Sequence, residues 1–561
     1  MVHYEPMKPA PARRALLFPL LATLWSCSPG PTDPADLVVL GGTVLTVDAD
    51  FSVAEAMAVR DGRIQAVGSD ADIRALAGSE TQVIEVPGKT VVPGLADNHL
   101  HRVGGGDGVD LSRVRTMDEL LGAITERARA EGPGELVTTN SDWHEGQLRE
   151  QRLPLRRDLD RAAPGNPVVV VRGGHEYILN SQALEKWEIT TETPVPEGGR
   201  ITRYPDGELN GELVDTAKRL VTLPERPPRD FEERIQDQVE EYRTLNAVGL
   251  TSIRHPGSSL EHFRLLEEMK RRGLLTMRVT FLMRMRAGTA AEVDAAIDGW
   301  GLEPQSGDEW LRLGGVKLGV DGGFEGGLLR EPYEEPWGQG GTYHGLRTMP
   351  QDVFNEVATQ LGRRGWRVAT HAVGDLAIDQ VLEGYEAANE VTPLAGKRWA
   401  IEHGFIPRED QFPTMNRLGL LVAGQHHLYV AGPSLEKYWG RERAEWVTPM
   451  RAYLDAGVMV SGGTDASVIP YPPLWVLHHF VTRETISGGV FGEDQRVSVE
   501  EGLRLITHAV AFLNFEEDLK GTLEPGKLAD FVVLSDDPRE VPADEIEVEM
   551  TVVGGETVFE R

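Results

Sequence analysis

Short apolar runs broken by glycine or by Asp-Gly dominate the start of the patterned chain. Residues 37–40 end in Gly41-Gly42, residues 43–47 end in Asp48, and residues 56–59 meet the Asp61-Gly62 turn before residues 63–67. Runs this short, with turn residues between them, predict hairpins of a small sheet. The C-terminal end repeats the style in residues 530–534, 548–553 and, after Gly554-Gly555, 557–559. Neither end has strands enough to stand alone, so one small β-sandwich domain built from both termini is expected, from residues 36–90 and 516–561.

Between those ends, over residues 91–515, strand-like runs alternate with helical stretches, which predicts a parallel α/β architecture. The predicted strands are 90–95, 250–254, 277–282, 313–320, 367–371, 398–402, 419–423 and 458–461. Eight is the number a (β/α)8 TIM barrel requires. A barrel unit averages about 30 residues, yet about 150 separate the first strand from the second. A large α/β insertion is therefore expected after the first strand, at about 105–247. It has its own apolar run at 167–171 and the turn Glu197-Gly198-Gly199-Arg200.

The first residues follow a different logic. Lys8, Arg13 and Arg14 precede an apolar run at 15–25 that Pro19 interrupts. The run is short of the roughly 20 residues needed to span a bilayer and matches a secretory signal. Leu24-Trp25-Ser26-Cys27 resembles a bacterial lipobox. The resemblance implies a signal peptide at 1–26, lipidation of Cys27, a tether at 27–35, and a lipoprotein held at the membrane of the cell envelope, facing the periplasm or the exterior. Cys27 is the only cysteine, which excludes an intramolecular disulfide and any cysteine-based zinc or iron–sulfur site. The net charge of −31 repels phosphate backbones and argues against a nucleic-acid partner. A small-molecule substrate is expected, and homo-oligomerisation is left open.

Chemistry gathers at the ends of the predicted strands. In His99-Leu100-His101 the two imidazoles share a face of extended backbone and can grip one metal. His371 and His403 end the strands at 367–371 and 398–402, and Asp465 follows the strand at 458–461. These spacings are about one and two barrel units, so each group falls at the carboxyl end of a different strand, where barrel active sites form. Four histidines and a carboxylate suit Zn²⁺ or a similar borderline ion. Lys317 lies on the strand before that of His371. An ammonium there would be repelled by divalent cations, whereas a carboxylated Lys317 is an anion that can bridge two of them. The alternative is a lysine whose stem packs along the strand while its head reaches solvent.

Taken together, these segments resemble the amidohydrolase superfamily, and within it the amidohydrolase-3 branch, the YtcJ-like and N-substituted formamide deformylase-like group. The likeness is carried by Pro93-Gly94-Leu95 through His101, by Lys317 with Asp321-Gly322, and by Thr370-His371-Ala372-Val373-Gly374-Asp375. Ile401-Glu402-His403, Thr464-Asp465-Ala466 and the segment from Lys520 to Asp530 extend it over nearly the whole chain. Gly404-Phe405, Gln425-His426-His427 and His255 depart from the group's pattern. These positions bear on the substrate rather than on the metal.

The resemblance implies one ion held by His99, His101 and Asp465 and another by His371 and His403, with carboxylated Lys317 bridging. A hydroxide generated on the metal would attack a carbonyl of a C–N bond of amide type, non-peptide, N-acyl or N-formyl. Asp465 would serve as base and then acid, and His175 as a donor to the developing oxyanion. His426, His427 and Phe405 are expected to face the substrate; the glycine-rich loop 324–345, read from its own composition, is expected to cover the pocket as a lid or merely to close a barrel edge. A cyclic amide or ester, deamination, and a solute-binding lipoprotein without catalysis are the alternatives. All six ligand positions are filled, which argues against the last.

Overall fold

The computed structural model describes residues 34–106, 108–224 and 229–561. The expected signal peptide, Cys27 and the tether up to residue 33 lie outside them. Among the described residues no helix is long and apolar enough to cross a membrane.

Eight parallel strands form the centre: β1 (Leu95–Asp97), β2 (Leu250–Ser258), β3 (Arg278–Arg284), β4 (Leu311–Gly319), β5 (Val368–Ala372), β6 (Ala400–His403), β7 (Leu421–Gln425) and β8 (Met459–Gly463). They are hydrogen-bonded in chain order. Helices cover their outer faces, so most strand residues are buried and the strands read as continuous rather than alternating apolar runs. The seam between β8 and β1 is drawn together by Asn98. Its backbone N–H donates to Gly462 O (3.3 Å), and its Nδ2 donates to Ser461 O (2.8 Å) and Gly424 O (3.2 Å). The fold is a nearly closed (β/α)8 barrel.

The covering helices show how the sequence dictates them. In Gln351–Arg363, Phe354, Val357, Ala358 and Leu361 are buried at helical spacing, forming one apolar stripe against the barrel. Each such side chain contributes about 1.5–3 kcal/mol by leaving water. The helix ends just before Gly365, whose φ of +76° is a left-handed conformation that glycine adopts without steric cost.

One predicted strand is corrected. Residues 90–95 do not form a single barrel strand. Thr90–Pro93 pairs with Thr43–Leu45 and with Phe531–Leu534 in a six-stranded sheet, and the barrel begins only at Leu95. The chain steps from one sheet to the other at Gly94, whose N–H donates to Asp530 O at 2.9 Å. A Cβ on Gly94 would meet Thr251 Oγ1 at 2.2 Å, so only glycine lets β1 pass this close to β2. Gly94→Ala is expected to cost about 1–3 kcal/mol through overpacking. A fall in the denaturation midpoint checks this, and an unchanged midpoint would refute it.

The six-stranded sheet faces a four-stranded sheet containing Ala35–Leu40, Ala56–Arg60, Arg63–Gly68 and Ala77–Glu85. Leu37, Val39 and Met57 of one meet Val91, Phe531, Val533 and Val552 of the other in one buried cluster, so strands from both ends of the chain share a core. Arg278 of β3 fastens this unit to the barrel through Asp530, at 2.6 and 2.9 Å. Between β1 and β2 the chain builds a five-stranded sheet in the order Gly199–Arg203, Leu209–Asp215, Glu176–Leu179, Val168–Arg172, Val137–Thr138.

Candidate metal centre

The carboxyl ends of the strands bring the predicted groups together. His99 Nε2 and His101 Nε2 each lie 3.3 Å from Asp465 Oδ1. One donor atom from each of the three falls within 4.8 Å of the others. The His403 ring stands 4.9 Å from that of His99 and 4.5 Å from that of His371. Lys317 enters from β4 with Nζ 4.0 Å from Glu402 Oε2.

Local backbone explains why these side chains converge. Asp97, the last residue of β1, accepts from His99 N (2.8 Å), from Thr464 N (3.1 Å) and from Thr464 Oγ1 (2.6 Å). Asp465 N donates to His99 O at 2.6 Å. One buried carboxylate thereby locks the loop carrying His99 to the loop carrying Asp465. Asp321 does the same after β4, accepting from Val373 N, Gly374 N and Leu328 N at 3.0–3.1 Å, which fixes the turn behind His371. His403 and Asp465 adopt φ of +74° and +62°. Such strained conformations persist only where the surroundings over-determine them, and they cluster at functional sites.

Burial sets the protonation of the imidazoles. It lowers the pKa of His99 to about 4 and holds His371 and His403 well below the ordinary imidazole value. All three are neutral near pH 7, the form that ligates a metal. Burial alone would push the Asp465 carboxyl up, but the cluster of imidazoles around it, with hydrogen bonds from His101 and His427, holds it well below its usual value. Burial also lowers Lys317 to about 8, against the opposing pull of Glu402 and Asp465. Imidazole donors of this kind with an ionised carboxylate fit a divalent cation.

Glu402 is a functional residue the sequence did not disclose. It is fully buried on β6. His99 Nδ1 meets its Oε2 at 2.5 Å, and Arg254 Nη1 donates to its Oε1 at 2.5 Å. The carboxylate fixes the proton on His99 Nδ1 and leaves Nε2 free on the side of Asp465. Gln425 Oε1 does the equivalent for His403, 2.7 Å from its Nδ1. The available signal is a charge at the end of the apolar run Trp399-Ala400-Ile401, on a strand buried throughout, since buried charges are tolerated only when paired.

The remaining predicted residues divide. His427 Nε2 lies 3.3 Å from Asp465 Oδ2. Phe405 packs on the same side, with its ring 4.9 Å from His427 and 5.3 Å from His403. His175 arrives from the inserted segment, its ring 5.7 Å from that of His371. Its Nδ1 bonds Asp215 Oδ1 at 2.6 Å. Burial would lower its pKa, but the Asp215 carboxylate outweighs that and raises it. His426 does not join them; it is buried against Tyr429. His255 stacks on Phe281 at 5.1 Å, 6.2 Å from the His101 ring. The start of the 324–345 loop is buried, with Phe324 against Phe405 and His427, so it forms wall as much as cover. The His101 and His175 side chains are 34% and 37% exposed, against 1% for His99 and 14% for His371. The site therefore opens between His101 and His175.

Comparison with known proteins matches residues 82–559 to the model of the Amidohydrolase family. The chain belongs to that family. This amidohydrolase is an enzyme acting on carbon–nitrogen bonds other than peptide bonds. It is 31% identical to the N-substituted formamide deformylase of Arthrobacter pascens, over 94% of this chain and 99% of that protein. It is 27% identical to the YtcJ protein of Bacillus subtilis, over 93% of this chain and 99% of the other. Among solved structures, a metal-dependent hydrolase from Pyrococcus horikoshii superposes with a TM-score of 0.66 at 22% identity, covering 91% of this amidohydrolase and 99% of that chain. That likeness speaks for the fold.

Proposed function

We propose that this amidohydrolase hydrolyses the C–N bond of a non-peptide amide of N-acyl or N-formyl type. The observation that carries the reading is the ionised Asp465 carboxylate, within 3.3 Å of three imidazoles at the end of the barrel where catalysis resides. The full-length likeness to a protein named N-substituted formamide deformylase supports the same bond type.

His99, His101 and Asp465 would hold one divalent ion such as Zn²⁺, and His371 and His403 a second, with carboxylated Lys317 between them. When bound, the metal polarises a carbonyl and lowers the pKa of a water from about 15.7 to about 7. Asp465 accepts the proton of the attacking water at a carboxylate oxygen and returns it to the departing nitrogen, base and then acid. His175, with Nδ1 anchored on Asp215, donates from its other nitrogen to the carbonyl oxygen as charge develops there.

Carboxylation of Lys317 joins its neutral amine to CO₂, forming an N–C bond and releasing one proton. With the amine near pKa 8, about a tenth of it is free at pH 7 and most of it at pH 9. Metal-stripped protein should regain amine release from N-formyl and N-acyl amines on addition of Zn²⁺ with bicarbonate and, at equal dissolved CO₂, faster at pH 8.5 than at pH 6.5. Recovery that ignores bicarbonate would remove the carbamate. Fully loaded protein that frees no amine from such a panel, yet opens cyclic amides, would remove the linear-amide reading.

A further inference from the structure

β3 is buried over six residues and then exposed at Arg284, the last residue of the strand. Arg286 follows, also exposed. The ladder sets Arg284 directly opposite Lys317 on β4. A Cβ placed on Gly257 would lie 2.8 Å from the Cβ of Lys317 and 3.7 Å from that of Arg284, so the two side chains leave the sheet together, on the same face. Arg284 thus rises at the mouth beside a ligand position. Several buried or half-buried arginines of the barrel have carboxylate partners, as Arg254 has Glu402, Arg278 has Asp530, Arg330 has Asp379 and Arg398 has Glu517, and the buried Arg367 and Arg483 donate to backbone carbonyls. Arg284 and Arg286 have no hydrogen-bond or ion-pair partner among the described residues. That is notable in a chain with 88 acidic side chains against 57 basic ones.

The surroundings sharpen the point. Partial burial, and then the neighbouring Arg286, hold the Arg284 pKa below the ordinary guanidinium value, and Arg284 in turn helps to lower that of Lys317. The Arg284 side chain still carries its charge. A lone guanidinium next to a cluster built for divalent cations is electrostatically unfavourable until an anion arrives. The planar fork of arginine matches a carboxylate with two parallel hydrogen bonds.

We propose that Arg284, assisted by Arg286, is the specificity-determining residue of this site, and that the substrate is an amide carrying a carboxylate on the part of the molecule that lies toward β3. The inference rests on the reading that the site cleaves an amide C–N bond. The guanidinium binds the carboxylate equally before and during reaction, so its contribution belongs in KM. The chain as a whole repels anions, which makes a local positive pair at the opening the feature that admits one.

The test uses N-formyl ω-amino acids with two to six carbons between nitrogen and carboxylate, each compared with its own primary carboxamide, on the metal-loaded enzyme. The wild type is expected to favour one or more carboxylates over the matching carboxamides by about 10–100-fold in kcat/KM, the scale of a hydrogen bond to a charged group. In Arg284→Gln the preference should collapse toward unity through KM, and Arg284→Lys should restore part of it. Added salt should shrink it in the wild type. A wild type that treats the paired compounds alike overturns the proposal. So does an Arg284→Gln variant that loses metal together with activity on both compounds, which would assign Arg284 to a carbamate on Lys317. Titration of the same pairs into the Asp465→Asn enzyme reads binding without turnover. If nothing in the panel is cleaved but the carboxylates still bind more tightly in an Arg284-dependent way, the reading of the reaction fails and the anion site stands.

Discussion

Asp465→Asn is expected to lower kcat by about 10²–10⁴-fold, the range for removal of a positioned acid–base group, while bound metal stays largely in place. Asparagine keeps one oxygen for the contacts that Asp465 makes with His99 and His101 at 3.3 Å. Its second atom becomes an N–H donor facing His427 Nε2, where a carboxylate oxygen stands now. It can no longer take up a proton. His99, His101, Lys317, His371 and His403 remain as donors, and Glu402 still orients His99. The backbone also tolerates the exchange: φ at residue 465 is +62°, and asparagine enters the left-handed region more readily than other side chains. A loss of rate therefore reports chemistry and not misfolding. Elemental analysis beside kcat on one preparation decides the matter. A variant within tenfold of the wild-type rate would take Asp465 out of proton transfer, and one that loses rate and metal together would make it a structural ligand.

How far the site could be read from the chain depends on sequence distance. Seven of the eight barrel strands were legible because burial on both faces leaves continuous apolar runs, as in Leu421–Gln425 and Val368–Ala372. The first was misplaced because the apolar run crosses from one sheet to the other without a break in pattern, and the crossing at Gly94 is forced by Thr251, far along the chain. The strand Ala77–Glu85 was missed altogether. It is mostly exposed and rich in Ser, Glu, Thr and Gln, and its pairing with Ala35–Leu40 is what makes it a strand. The imidazoles and Asp465 were legible through strand-end spacing and the family motifs. The groups that orient them were not. Glu402 reaches His99 across 303 residues and Arg254 across 148, and His175 gains its meaning from Asp215, which no local pattern announces. Ligands are conspicuous by residue type, while the partners that aim them are specified only by tertiary contact.

Glu402→Gln tests that second kind of residue and should have the largest effect outside the ligands themselves. The amide can be placed two ways. With its NH₂ toward His99 Nδ1, it forces the proton to Nε2 and removes the lone pair from the nitrogen that faces Asp465. With its NH₂ toward Arg254, two donors abut and a guanidinium with no solvent exposure of its side chain loses the carboxylate it pairs with. Metal affinity is expected to fall by about 10–100-fold, as for lost partners of ligating histidines. Folding stability should fall by about 3–5 kcal/mol, the cost of breaking a buried ion pair from one side. Glu402→Asp keeps the charge for Arg254 and should recover much of the stability. Its carboxylate is one methylene short of His99, so the metal defect should persist. That split between stability and metal affinity separates orientation of His99 from mere support of the core. Competition with a chromophoric chelator and chemical denaturation of the metal-free protein measure the two quantities independently. If Glu402→Gln binds metal as tightly as the wild type, His99 is held by something other than Glu402, and the account of how the centre is aimed fails.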